Sequence, residues 1–324
     1  MPVDPFLAPL LADFPPMPER IDDWDAYRAQ GGQSSEAMVG QLTEPGPQVG
    51  DVRTVSLPVP GGAIDLKVYR PEGAGPHSAH LLMHGGGWVV GSAHDTYIDI
   101  TSRERCVGGS CVVVAVDYRK APEHPFPTAL LDCQAALEWL VAHADELDVR
   151  TDLITVGGQS AGANLAAALC LKLRDERGPQ MALQLLEAPG LDLTLSLPSH
   201  EALGSGYGLH LADVRRLVPL YLGNSGDPAD PYVSPLLAPD LSGLPPAYVM
   251  SAEYDMLLDD GERYVERLRA AGVPAVFSLQ RGHVHFSGAL TKVMAPARAW
   301  RDEAIGVLRR AHEGVALAPA PSAH

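Results

Sequence analysis

Ser160 lies in Gly158-Gln159-Ser160-Ala161-Gly162, a G-x-S-x-G pattern. The β-branched run LITVGG leads into it, and the alanine-rich run ANLAAAL leaves it. That order reads as strand, turn and helix. A serine on a sharp strand-to-helix turn has a strained backbone, and it needs tiny neighbours so that the helix can pack close. The helix start also aims backbone N–H groups at the space beside the hydroxyl, where negative charge would develop in acyl transfer. The bland alternative is a glycine-rich turn without chemistry. Phosphate-binding readings fail on spacing. A Walker A loop needs a lysine that Gly162-Ala163-Asn164 lacks, and a dinucleotide fingerprint counted from Gly157 needs glycine where Gln159 stands.

A second signal follows the run AHLLMH: His84-Gly85-Gly86-Gly87-Trp88. Three glycines let backbone approach a ligand and turn N–H groups toward it. Gly86, Gly87 and Ala161 could together supply an oxyanion hole. His84 reads as a brace for that loop rather than a proton carrier. A nucleophilic serine needs a base, and the base needs an orienting acid. After the run AYVMSA come Glu253, Asp255, Asp259 and Asp260, and after AVFSLQ come His283 and His285. Asp255 is nearest the turn expected straight after its strand. Asp259 and Asp260 fall where a carboxylate caps the next helix. His283 and His285 would share one face of an extended segment and are not separable by spacing. Such a pair would also suit a metal, but no third ligand is suggested nearby, so no metal is expected.

The elements that must hold these residues are legible in outline. VRTVSLPVP and AIDLKVYRP alternate as half-buried strands do. AHLLMH and CVVVAVDY are continuous apolar runs, as in a sheet covered on both faces. LITVGG, ALQLLEAP, AYVMSAEYD and AVFSLQRG add four strands. Helical stretches are expected over 97–106, 128–144, 161–177, 261–271 and 295–310. This alternation predicts an α/β fold with a mostly parallel, eight-stranded sheet. Residues 198–225 break the rhythm and read as an insertion over the strand ends, where a helical cap would sit. The proline-rich residues 1–47 read as an arm with short helices near 21–28 and 34–42. A catalytic domain would then cover 48–197 and 226–314, with a frayed tail over 315–324.

Composition excludes several classes. The chain has 324 residues, 46% of them hydrophobic and 20% charged, which suits a globular core. Its net charge is −16, which repels phosphate backbones and anionic membranes, so no nucleic-acid partner is expected. No run approaches the ~20 apolar residues of a membrane helix. Prolines interrupt the apolar part of the N-terminal stretch, and no leader is expected. Cys106, Cys111, Cys133 and Cys170 lack metal-site spacing and read as buried thiols of a cytoplasmic protein.

The chain resembles the bacterial carboxylesterases related to hormone-sensitive lipase, a branch of the α/β-hydrolases. HGGGW at 84–88, DYRKAPEHPFPTALLDC at 117–133, GQSAG at 158–162, the 244–273 segment and GHVHF at 282–286 carry the resemblance. Heroin-esterase-type enzymes, which also have Gln before the serine, look most similar. The resemblance implies Ser160 as nucleophile, Asp255 as acid, His285 as base, and Gly86, Gly87 and Ala161 as oxyanion donors. It implies hydrolysis of short-to-medium acyl esters without a cofactor, and a cap built from the arm and the insertion. It also implies a homodimer through the last strand, near 275–280. Trp88, Gln159 and Tyr207 are expected around the pocket. Three positions depart from the family: Gln159 stands for Asp, Met256 for Pro and Phe286 for Gly, which leaves His283 open as the base. A rival reading is a non-hydrolytic ligand-binding protein, as in the plant gibberellin receptors, which have lost the catalytic histidine. Amides, carbonates or lactones would suit the same machinery.

Overall fold

A computed structural model describes residues 3–12, 16–224, 226–315 and 317. Most of the tail expected over 315–324 falls outside them. The chain opens with two helices, α1 (Leu7–Ala12) and α2 (Trp24–Leu42), followed by a hairpin of β1 (Asp51–Val59) and β2 (Gly62–Arg70). Then come β3 (His77–Met83), α3 (Thr96–Gly108), β4 (Cys111–Asp117), α4 (Thr128–Ala142), the short α5 (Ala144–Leu147) and β5 (Val149–Gln159). The second half holds α6 (Ala161–Asp175), β6 (Leu183–Glu187), α7 (Pro198–Ala202), α8 (Leu211–Leu222), β7 (Ala247–Tyr254), α9 (Leu258–Ala270), β8 (Ala275–Val284) and α10 (Ala295–His312).

The eight strands form one sheet in the order β1-β2-β4-β3-β5-β6-β7-β8. β1 and β2 pair antiparallel, β2 pairs antiparallel with β4, and all later pairs are parallel. β4 shows why its run is continuously apolar. Val112, Val114 and Val116 pack on one face with Leu130 and Leu137 of α4, while Cys111, Val113 and Ala115 pack on the other with Ile98 and Cys106 of α3. Period-two alternation thus sends every second residue into a different core. Trp300, Val307 and Leu308 of α10 cover β6 and β7 on the α3 side. All four cysteines are free and buried, and burial pushes the Cys106 thiol up to about 12.

The strand order reverses around β3. β4 lies on one side of it and β5 on the other. Ligand crevices of open α/β sheets form at such a switch point, beyond the carboxyl ends of the strands. The two glycine-rich turns read from the sequence leave β3 and β5, and Met83 and Gly158 lie in register there.

The N-terminal arm differs from expectation. One 19-residue helix, α2, replaces two short ones. Gly31 and Gly32 sit inside it, each costing about 1 kcal/mol relative to alanine. Asp23 caps the helix by accepting the Ala26 N–H at 2.9 Å. Arg28 then pins it to the Val89 and Ala121 carbonyls and to Glu123. Tertiary anchors offset the weak local propensity. Among the described residues, no helix is long and apolar enough to cross a membrane.

Candidate active site

β5 ends at Gln159 and α6 begins at Ala161, so Ser160 occupies the turn alone. Its backbone has φ 56° and ψ −120°. Such a conformation costs a non-glycine residue about 1–3 kcal/mol, and surrounding contacts must impose it. They are visible. The Ser160 N–H donates to the Glu187 carbonyl at 2.8 Å, and its own carbonyl accepts the Asn164 N–H at 3.0 Å. The flanking glycines are required by contact. A Cβ on Gly158 or Gly162 would lie 2.4 or 2.2 Å from the Met83 carbonyl oxygen. α6 therefore crosses directly over the end of β3.

Asp255 follows β7 and is buried. Its carboxylate accepts the Leu257 N–H at 3.0 Å and faces His285 Nδ1 at 2.6 Å. His285 Nε2 lies 2.9 Å from Ser160 Oγ. With a carboxylate accepting at Nδ1, the proton sits there and Nε2 accepts from the serine hydroxyl. Burial disfavours the imidazolium, but the Asp255 charge and hydrogen bond outweigh it and raise the His285 pKa above its ordinary value.

The other candidates have different partners. Glu253 accepts the Gly282 N–H at 2.7 Å, and Asp259 accepts the Ser199 N–H at 2.9 Å. Asp260 is fully buried and bonds the Leu191 and Asp192 N–H groups and His200. The two histidines do not share a face. β8 ends at Val284, and the chain turns there. His283 points into the protein, with Nδ1 2.8 Å from Ser287 Oγ and its ring edge-on to Trp300.

The HGGG loop lies against the serine turn. A Cβ on Gly85 would come within 3.5 Å of the Ser160 Cβ. Gly86 and Gly87 both have positive φ, 118° and 56°. Among the described residues, no acceptor is paired with the backbone N–H of Gly86, Gly87 or Ala161. His84 is buried and stacked on Tyr118 at 4.1 Å, and its Nδ1 lies 2.7 Å from the Gly85 carbonyl oxygen. Burial and the Lys120 charge lower its pKa to about 4, so it stays neutral and braces the loop.

A family model described as the α/β-hydrolase fold matches residues 80–287. The carboxylic ester hydrolase LipN of Mycobacterium tuberculosis is 43% identical over 78% of this chain and 66% of its own length. An arylesterase of Saccharolobus solfataricus is 34% identical over 88% of this chain and 92% of that protein. The hyperthermophilic esterase of the archaeon Pyrobaculum calidifontis superposes with a TM-score of 0.88 at 34% identity, covering 98% of this chain and 100% of that one. The chain belongs to the α/β-hydrolases, in the carboxylesterase branch related to hormone-sensitive lipase.

Each departure of this hydrolase from the family's residues has a local setting. Met256 is fully buried with Leu211 and Leu257, beneath the start of α8. Phe286 packs with Tyr207, Tyr254 and α1 residues, and its ring comes within 2.5 Å of where a Cβ of Gly208 would be. Gln159 borders a cavity of about 30 Å³ with Glu187, Arg105 and Trp300, a space that none of Ser160, Asp255 and His285 lines. Trp88 is 5% exposed and stacked on Tyr221 of α8 at 4.4 Å. It fastens the HGGG loop to the insertion. Tyr207 is half-buried against Tyr254 at 5.2 Å. Sequence reading missed Glu187 and Leu217. A glutamate ending the apolar run LQLLE was a signal that a buried partner waits. Leu217 gave none, being one apolar residue of an amphipathic helix. It is half-exposed, with a methyl 2.8 Å from where a Cβ of Gly87 would be.

Proposed function

We propose that this hydrolase is a serine carboxylesterase acting on short-to-medium acyl esters through an acyl-enzyme. The observation that carries the reading is the continuous hydrogen-bonded chain from Asp255 through His285 to Ser160 Oγ. His285 Nε2 takes the serine proton as Oγ attacks the ester carbonyl. Asp255 holds the tautomer and stabilises the imidazolium. The N–H groups of Gly86, Gly87 and Ala161, which have no acceptor among the described residues, would receive the oxyanion. One such donor typically contributes about 2.7–4 kcal/mol to barrier lowering. The imidazolium returns its proton to the leaving alcohol. A water molecule deprotonated by His285 then releases the acid.

The reading extends to the arm and the insertion, which would cap the site together. The Met17 N–H donates to Asp213 of α8 at 3.1 Å, and Arg216 donates to the Met17 and Pro18 carbonyls. Leu217 and Trp88 would narrow the space beside the oxyanion loop, which suits a short acyl group. β8 lies at the sheet edge, where a second copy could pair and form a dimer. The buried free cysteines suit a cytoplasmic setting.

The test is release of 4-nitrophenol from acetyl, butyryl, octanoyl and palmitoyl esters, with mass-spectrometric mapping of a serine-directed phosphonate. Hydrolysis favouring the shorter esters, label on Ser160 and loss of activity in Ser160→Ala are expected. Full activity in Ser160→Ala, or label on another serine, would overturn the reading.

A further inference from the structure

Ser160 and His285 leave different strands, with two more strands between them in the sheet. Something must set their separation to a hydrogen-bond distance. Glu187 stands between them. Its carbonyl holds the Ser160 N–H at 2.8 Å, and it lies in register beside Gln159 at the end of the β5–β6 pairing. Its side chain turns away from the sheet and is shared by two helices. Arg105 of α3 forms an ion pair with one carboxylate oxygen, and Trp300 of α10 donates its Nε1–H to the other at 2.8 Å.

Trp300 also meets the histidine loop. The His283 ring stands edge-on to the indole, with centroids 5.1 Å apart and planes at 74°. Gly288 lies so near that a Cβ there would be 3.5 Å from the ring. His283 reaches Ser287 Oγ at 2.8 Å, and that hydroxyl accepts the Val284 N–H at 3.0 Å. These contacts bracket His285 from both sides in the chain.

We propose that Trp300 is a positioning residue for acyl transfer: its N–H fixes Glu187 beneath Ser160 while its ring seats the 283–288 loop beneath His285. The inference rests on the reading of Ser160 and His285 as nucleophile and base. Packing alone does not account for the arrangement. A buried ion pair adds little stability over an apolar replacement of similar volume, whereas its bonds have fixed directions. Trp300 is 2% exposed and directs its single donor at a carboxylate rather than at solvent. A small shift there would be transmitted to the Oγ–Nε2 distance, and misplacement by about 1 Å can cost roughly a hundredfold in rate.

Trp300→Phe keeps an aromatic ring against His283 and Gly288 and removes the N–H. Benzothienylalanine at 300 keeps the indole shape and removes only the N–H, which covers the case of a poorly folded Phe variant. Both are expected to lower kcat about tenfold, part of the misplacement cost, with KM within about twofold. Phosphonate labelling of Ser160 should slow in step with kcat. The acid limb of kcat/KM should stay in place, because Asp255 is untouched. Wild-type kcat and labelling rate in the benzothienylalanine protein would overturn the proposal. So would a loss of kcat that only tracks the folded fraction. Ser160→Ala separates the two readings. If it is inactive while both Trp300 variants match wild type, the positioning role alone fails. If it is active, the esterase mechanism fails first.

Discussion

Two histidine–carboxylate pairs with buried acids lie close to the end of β7, and they look alike until the far nitrogen is considered. His285 Nδ1 faces Asp255 at 2.6 Å, and His200 Nε2 faces Asp260 at 2.7 Å. In the first pair the remaining nitrogen meets Ser160 Oγ at 2.9 Å, and 14% of the His285 side chain is exposed. In the second, His200 Nδ1 accepts the Leu197 N–H at 3.2 Å, and neither side chain is exposed at all. Asp260 spends its other bonds on the Leu191 and Asp192 N–H groups, tying the loop after β6 to α9. One pair has a nitrogen open to chemistry. The other has every partner taken by backbone. The carboxylate does not decide the role of a histidine here; the group at the second ring nitrogen does.

The comparison can be broken most sharply at His285. His285→Ala should lower kcat by roughly 10⁴-fold or more, with little change in melting temperature. Asp255→Asn should cost about 10⁴-fold through the wrong tautomer. It should also move the acid limb of the pH–rate profile. In the proposed mechanism the neutral imidazole is the active form, and Asp255 raises the His285 pKa, so the wild-type limb should lie above the ordinary histidine range. Without the carboxylate only burial acts, and the limb should move to lower pH, read from kcat/KM against pH.

His200→Ala should behave in the opposite way. It leaves Asp260 buried without its cationic or donor partner, a loss of about 3–5 kcal/mol for a broken buried pair. Thermal unfolding should report that loss, while kcat per folded molecule stays within about tenfold, well short of the loss expected for His285→Ala. A dead but fully stable His200→Ala protein would erase the distinction between the pairs. The smallest effect is expected at Leu217. Leu217→Ala should shift preference toward longer acyl chains by about 1–3 kcal/mol for the space opened, measured as the ratio of kcat/KM for octanoyl and acetyl esters.

Much of the site was legible because short-range geometry dictates it. G-x-S-x-G between a β-branched run and an alanine-rich run already specified the turn, and three glycines after β3 already specified an N–H-lined loop. The alternation of apolar runs yielded the eight strands. What spacing could not separate was His283 from His285. They lie two residues apart, and their different directions arise from the end of β8 at Val284 and the turn closed by Ser287. What Gln159 and Trp88 touch was beyond spacing for a related reason. Both neighbour reactive positions in sequence, but tertiary packing sets what their side chains meet. Gln159 borders the Glu187 cavity, and Trp88 stacks on Tyr221 of α8.

By itself the sequence determined which residues could react and the order of strands that would deliver them. Those are properties of local backbone preference and periodicity. Only the tertiary structure decided that His285 meets Ser160 while His283 does not, and that Glu187 and Trp300 stand beneath both. These depend on contacts between segments more than a hundred residues apart, such as Glu187 with Trp300 and Ser160 with His285. No local pattern encodes such distances. They follow from how the helices close over the sheet.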